Sequence, residues 1–156
     1  MSRRRRAKKR ETLPDPKYQS PLLQMVVNRI MKNGKKTLAY KIVYQTMDRL
    51  QEKTKQNPTL VLTEAIMNVK PIVEVKSKRV GGAAYQVPLD VNQERGTVLA
   101  IRWILAAARS RSGMSIVSKL TSEILDASKK TGAAMKRRNE VHRMADANKA
   151  FAKFRF

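Results

Sequence analysis

The chain has 156 residues, 42% of them hydrophobic, which is enough for one domain with a core of its own. Thirty-four Lys and Arg against twelve Asp and Glu leave a formal charge of +22, more than solubility asks of a compact domain, because self-repulsion works against folding. The composition points to a polyanionic partner, nucleic acid before an anionic membrane surface, while zero cysteines exclude disulfides and thiolate metal sites.

Residues 1 to 10 hold seven cations, Arg3, Arg4, Arg5, Arg6, Lys8, Lys9 and Arg10, and no acid. They are expected to form a disordered basic extension, residues 1–12, that phosphates would order. No apolar stretch follows, so it does not read as a secretory signal, and the longest apolar run, Trp103 to Ala108, is far short of a membrane span. Leu13-Pro14-Asp15-Pro16 is a prolyl-stiffened lead into the fold.

Ser20-Pro21 starts a first helix, the hydroxyl as N-cap and the proline at the first helical position. Leu22, Leu23, Val26, Val27, Ile30 and Met31 recur at helical spacing until Asn33-Gly34. A second helix is predicted from about Lys36 to Lys55, with Leu38, Ile42, Met47 and Leu50 inward, and a third from Pro58 to Val69, capped by Asn57 and stopped by Lys70-Pro71. From Val73 to Pro88 the helical period breaks: Val73 and Val75 alternate with Glu74 and Lys76, and Gly81-Gly82 supplies the two positive-φ positions of a tight hairpin. A two-residue loop sets Val80 opposite Ala83, Arg79 opposite Ala84 and Lys78 opposite Tyr85.

A fourth helix, capped by Asn92 or Asp90, runs to about Ser110; its apolar breadth makes it the expected central helix, with Trp103 in the core. A fifth spans about Ser115 to Lys130 and a sixth about Ala134 to Ala150, the latter with Val141, Met144 and Ala145 inward. The fold class is mainly α, a six-helix bundle with one protruding β-hairpin between the third and fourth helices. The single domain is residues 13–150, with the ribbon at 73–88 and a basic-aromatic tail at 151–156.

Lys76, Lys78 and Arg79 with the seven N-terminal cations, and nine more from Lys129 to Arg155, place nineteen of thirty-four cations in three segments. Charge spread evenly for solvation does not require that clustering. Arg95, Arg102 and Arg109 are seven apart and share one side of the fourth helix, either as a solvated face or in contact with phosphate. Asn33-Gly34-Lys35-Lys36-Thr37 has the ending of a phosphate-binding loop, but no glycine stands five residues before Gly34 and a helix precedes it, which argues against a nucleotide triphosphatase. What survives is a helix opening with two lysines, suited to one backbone phosphate. His142 is the single histidine, without the Cys or paired acids of a metal site or a triad; it reads as a helix-flank residue or a stacking partner for a nucleotide. Tyr85, among cations, is the better stacking candidate. Nothing calls for a cofactor or for enzymatic chemistry. The alternative binding reading is an architectural DNA-bending protein, since these also carry basic β-arms on helical bodies.

Ser20-x-Leu22, Val26-Val27, Gly34-Lys35-Lys36, Ile42-Val43 with Thr46, Leu13 to Lys17, Lys76 to Pro88 and His142 to Phe151 stand in an order that resembles the small-subunit ribosomal protein seven family, bacterial and plastid type, over essentially the whole length. The resemblance implies a structural protein of the small ribosomal subunit that binds the 3′ major domain of 16S-type rRNA and nucleates assembly of the head. It implies a position near the exit-site tRNA and the mRNA exit channel, beside neighbouring head and platform proteins. The compartment would be the cytoplasm, or the plastid stroma if the source is organellar. Carried over by motif, Arg3 to Arg10, Lys35, Lys36, Lys76, Lys78 and Arg79 would contact rRNA, joined by Arg95, Arg102 and Arg109. Gly81, Gly82, Tyr85, Lys136, Arg137, Arg138, His142, Arg143, Lys149 and Arg155 would approach tRNA and mRNA. No contact is carried over to the Ser110 to Gly113 connection, which varies in the family, and the last four residues keep only the basic-aromatic character of the family's ending.

Overall fold

The computed structural model describes residues 11–113 and 115–154. Six α-helices and one hairpin follow in chain order: α1 Pro21–Ile30, α2 Lys36–Thr54, α3 Pro58–Val69, β1 Val73–Val80, β2 Ala83–Asp90, α4 Gln93–Ser110, α5 Ile116–Ser128 and α6 Ala133–Ala147. A 3₁₀ helix, Lys149–Phe154, ends the described chain.

Local chemistry sets the boundaries. The Ser20 hydroxyl accepts from the Leu23 N–H at 3.4 Å, and Pro21 sits where its missing N–H leaves no bond unmade. Asn33 at φ 51° and Gly34 at φ 73° turn the chain into α2. Asn57 caps α3 through the Thr59 N–H at 3.0 Å, and Pro71 follows the last turn. In the hairpin Gly81 and Gly82 take φ 58° and 86°, the left-handed pair that a two-residue turn needs, so Val80 faces Ala83, Arg79 faces Ala84 and Lys78 faces Tyr85.

The core is shared by three helices. α3 packs on α2, α4, α5 and α6; α5 packs on α2, α3, α4 and α6; α4 packs on α1, α3, α5 and α6. The fourth helix, expected to be central, shares that place with α3 and α5, since on its outer side Arg95, Val98, Arg102, Ala106 and Arg109 face solvent and Val98 is 39% exposed. Trp103 is half-buried against the core. Leu38, expected inward, is 50% exposed, because it lines an open cavity with Ile30 and Ile42 instead of being covered by a neighbouring helix.

The ribbon stands on α6 and on the 3₁₀ helix. Val87 and Pro88 are buried at its base, the Val91 N–H donates to the Ile72 carbonyl at 2.8 Å to close the root, and the Tyr85 and Phe151 rings meet at 5.2 Å with 48° between planes. A two-stranded hairpin is marginal by itself in water, and these contacts supply the apolar burial it lacks.

Candidate nucleic-acid interface

At the root of the ribbon Glu74 organises the charge. Arg95 of α4 grips it with two parallel bonds, Nε to Oε1 and Nη2 to Oε2, both 2.8 Å, and Lys76 Nζ lies 3.2 Å from Oε1. Burial of Glu74 opposes its ionisation, yet the bonds from Arg95 and Lys76 outweigh it and hold the carboxyl below its ordinary range. Two cations share this acid, and the bidentate bond fixes Arg95 in place. Towards the tip Arg79 is exposed and makes no ion pair among the described residues, and Lys78 is half-buried opposite Tyr85.

The arginine stripe of α4 continues the basic surface: Arg95, Arg102 and Arg109 are all exposed on its outer side, and Arg102 and Arg109 make no ion pair among the described residues. Arg109 also lines one cavity with Lys32 and Lys35, over an apolar floor that includes Ile42 and Leu105. The fold thereby brings Lys35 to the α4 stripe, a juxtaposition that sequence separation hides. Lys36, at the first turn of α2, holds its ammonium 5.8 Å from the Tyr40 ring centroid.

The basic face of α6 divides in two. Lys136 and Arg143 are exposed, as are Arg137, which pairs with Glu140 at 3.1 Å, and Lys149 at the start of the 3₁₀ helix. Arg138 and His142 turn inward. Arg138 Nη1 donates to the Asn68 carbonyl at 2.8 Å, tying α6 to the end of α3, and its Nε is buried without a partner among the described residues. His142 Nε2 accepts the Ile72 N–H at 3.2 Å, so α6 holds the ribbon by its root. Burial, and then the charge of Arg138, push the imidazole pKa below its ordinary value against the pull of Asp146, which favours the neutral form that such an acceptor must have. Tyr85 spends part of its ring on Phe151. Gly81 and Gly82 form the exposed tip. The seven N-terminal cations and Arg155 lie outside the described residues.

Sequence reasoning missed two anchors. Arg111, in the connection after α4, bonds Glu123 Oε2 through Nε at 2.6 Å and Asp126 through Nη2. Glu123 is fully buried, and its other oxygen accepts the Ala134 N–H at 2.9 Å, satisfying one open donor at the start of α6. A side chain on Gly132, at φ 91°, would place its Cβ 3.1 Å from Glu123 Oε1, so this glycine keeps the clamp closed. The available signal was a pair of acids three apart on one face of a helix in an otherwise basic chain. The second anchor is Asp15, buried and accepting from the N–H groups of Lys17 and Tyr18 and from the Tyr44 hydroxyl at 2.9 Å. Burial, with the bond to Asp15, pushes the Tyr44 pKa up to about 12. The Asp-Pro signal was in the sequence; its partner 29 residues away was not.

Among the described residues no group of three or more His, Cys, Asp or Glu could hold a metal, and no helix is long and apolar enough to cross a membrane. The surface carries outward cations on and around the ribbon, which suits polyanion binding.

The family model described as ribosomal protein S7p/S5e matches residues 2–149. Small ribosomal subunit protein uS7c of Tupiella akineta is 69% identical over 156 residues, and that of Ostreococcus tauri 59%, each covering all of both chains. Small ribosomal subunit protein uS7 of Acaryochloris marina is 53% identical, again over the full length of both.

Proposed function

The chain belongs to the ribosomal protein S7p/S5e family, and from that premise we propose that this structural protein of the small ribosomal subunit binds the 3′ major domain of 16S-type rRNA and nucleates assembly of the head. The observation that carries the proposal is the set of outward cations on the ribbon and on the outer side of α4: Arg79, Arg102 and Arg109 are exposed and make no ion pair among the described residues. Family members are structural constituents, not enzymes.

Lys35, Lys36, Lys76, Lys78, Arg79, Arg102 and Arg109 would lie against rRNA phosphates, with Arg95 held among them by Glu74 and the N-terminal cations adding further contacts. The ribbon tip at Gly81-Gly82 and the exposed cations Lys136, Arg137, Arg143 and Lys149 would approach the exit-site tRNA and the mRNA. Arg138 and His142, bonded to the backbone at Asn68 and Ile72, would position α6 and the ribbon for that contact. The uS7c proteins of Tupiella akineta and Ostreococcus tauri match at higher identity than the Acaryochloris marina protein, which supports a plastid ribosome as the setting.

Side chains cannot read the deep groove of A-form RNA, so recognition rests on shape and phosphate position. With six to ten phosphate contacts, affinity should fall by roughly 10³ to 10⁵ between about 50 and 200 mM salt. Competition between an rRNA 3′ major domain fragment and duplex DNA at matched salt tests the reading: the fragment should win, and preference for the duplex would favour a DNA-bending protein instead.

A further inference from the structure

Three tyrosines that motif reasoning left aside, Tyr18, Tyr40 and Tyr44, are gathered by the fold into one cluster. Tyr40 and Tyr44 lie one turn apart on α2 with ring centroids 5.6 Å apart and 39° between planes; Tyr18 meets Tyr44 at 6.1 Å. They are half-buried, packed on the core by one side. On the other side runs a groove bounded by Pro16 and by the α2 stripe that includes Tyr40, Lys41, Tyr44 and Asp48.

Each hydroxyl is already engaged. Tyr40 donates to Gln24 Oε1 at 2.7 Å, Tyr44 to Asp15 at 2.9 Å and Tyr18 to Asp48 at 3.4 Å. The rings are therefore fixed in orientation before any ligand arrives, and what Tyr40 and Tyr44 offer the groove is aromatic surface rather than hydrogen-bonding tips. Lysines surround them: Lys17 Nζ lies 5.1 Å from the Tyr18 centroid and 5.3 Å from that of Tyr44, Lys36 lies over Tyr40, and Lys41 is exposed at the groove. Asp48, bonded to Lys17 Nζ at 3.3 Å, puts a carboxylate at one end, where it repels a phosphate and can accept from a base N–H. Aromatic surface flanked by cations, with one acceptor, is the chemistry of a site for an unpaired nucleobase and its phosphate.

We propose that this groove holds one unpaired RNA base stacked against Tyr40, its phosphate neutralised by Lys41. The site is separate in sequence from the ribbon and from α4, and would add affinity that salt does not remove. The proposal rests on the rRNA-binding reading above. The test uses the full chain and the rRNA fragment, with short-wave ultraviolet cross-linking mapped by mass spectrometry and affinities of two variants. Cross-links should fall on Tyr40 or Tyr44. Tyr40→Leu, which keeps an apolar side chain on the core, should weaken binding by roughly 5- to 100-fold. Tyr40→Phe, which keeps the aromatic face and loses only the bond to Gln24, should weaken binding by less than Tyr40→Leu, and melting curves establish that both variants fold. If the wild-type chain binds the fragment tightly while Tyr40→Leu binds equally well and the cross-links lie elsewhere, the groove is only an anchor for the N-terminal segment and the proposal is overturned. If the wild-type chain does not bind the fragment at all, the rRNA-binding reading falls and this inference with it.

Discussion

Two residues apart at the end of α4, arginine serves opposite ends. Arg109 is exposed, beside Lys32 and Lys35, and makes no ion pair among the described residues; Arg111 is half-buried and bonded to both Glu123 and Asp126. The same contrast separates Arg79, at the ribbon, from Arg138, which is spent on the Asn68 carbonyl. A net charge of +22 says nothing about this division. What decides it is where the few acids and open carbonyls fall after folding. Cations beside them fasten helices to one another, and cations left outward keep their field for a partner.

The contrast is broken most forcefully at the inward end. Glu123→Ala strands the Arg111 guanidinium with Asp126 alone and leaves the Ala134 N–H without its acceptor; a loss of about 3–5 kcal/mol in denaturant unfolding is expected. Gly132→Ala should destabilise by about 1–3 kcal/mol, because it forces a Cβ onto Glu123 in a backbone region that suits glycine. Neither change touches an outward cation, so any loss of RNA affinity beyond the loss of folded protein would count against the division. At the outward end Arg79→Glu should leave the melting temperature unchanged and lower the log–log salt slope of rRNA binding by about one. Lys55→Glu, outside the basic clusters, is the control; equal losses in the two variants would remove the ribbon's privileged role.

The smallest expected effect joins the two classes. His142 is neutral when it accepts from Ile72, and its folded pKa lies below the unfolded value. Its contribution is therefore fully present above the ordinary histidine pKa of about 6.5 and is lost as pH falls through the lower folded value. With one hydrogen bond at stake, roughly 0.5–1.5 kcal/mol, acidification should lower the protection of the Ile72 amide, its exchange measured relative to the intrinsic rate at each pH, before the helices unfold. Exchange at Ile72 that does not follow the His142 titration would show that the imidazole does not hold the ribbon.

Much of this architecture was legible beforehand because its causes are local. Ser20-Pro21, Asn57-Pro58 and Lys70-Pro71 act on their own backbone, and Gly81-Gly82 sets the register of the whole hairpin. The cation clusters were equally visible. What stayed hidden depends on neighbours far along the chain: Arg138 on Asn68, His142 on Ile72, Tyr44 on Asp15, Arg111 on Asp126. Leu38 shows the same limit from the apolar side, since helical spacing names the face of a helix but not whether another helix reaches far enough to cover it. The last turn behaves likewise, where α6 stops at Ala147 and the chain tightens into a 3₁₀ helix whose Phe151 meets Tyr85 across the ribbon.

Arginine-directed chemical modification of the full chain, with and without the rRNA fragment and read residue by residue, tests the division itself. Arg79, Arg102 and Arg109 should react readily in the free protein and become protected in the complex, while Arg111 and Arg138 stay slow in both. Reactivity of Arg79, Arg102 and Arg109 that is the same bound and free would contradict the account.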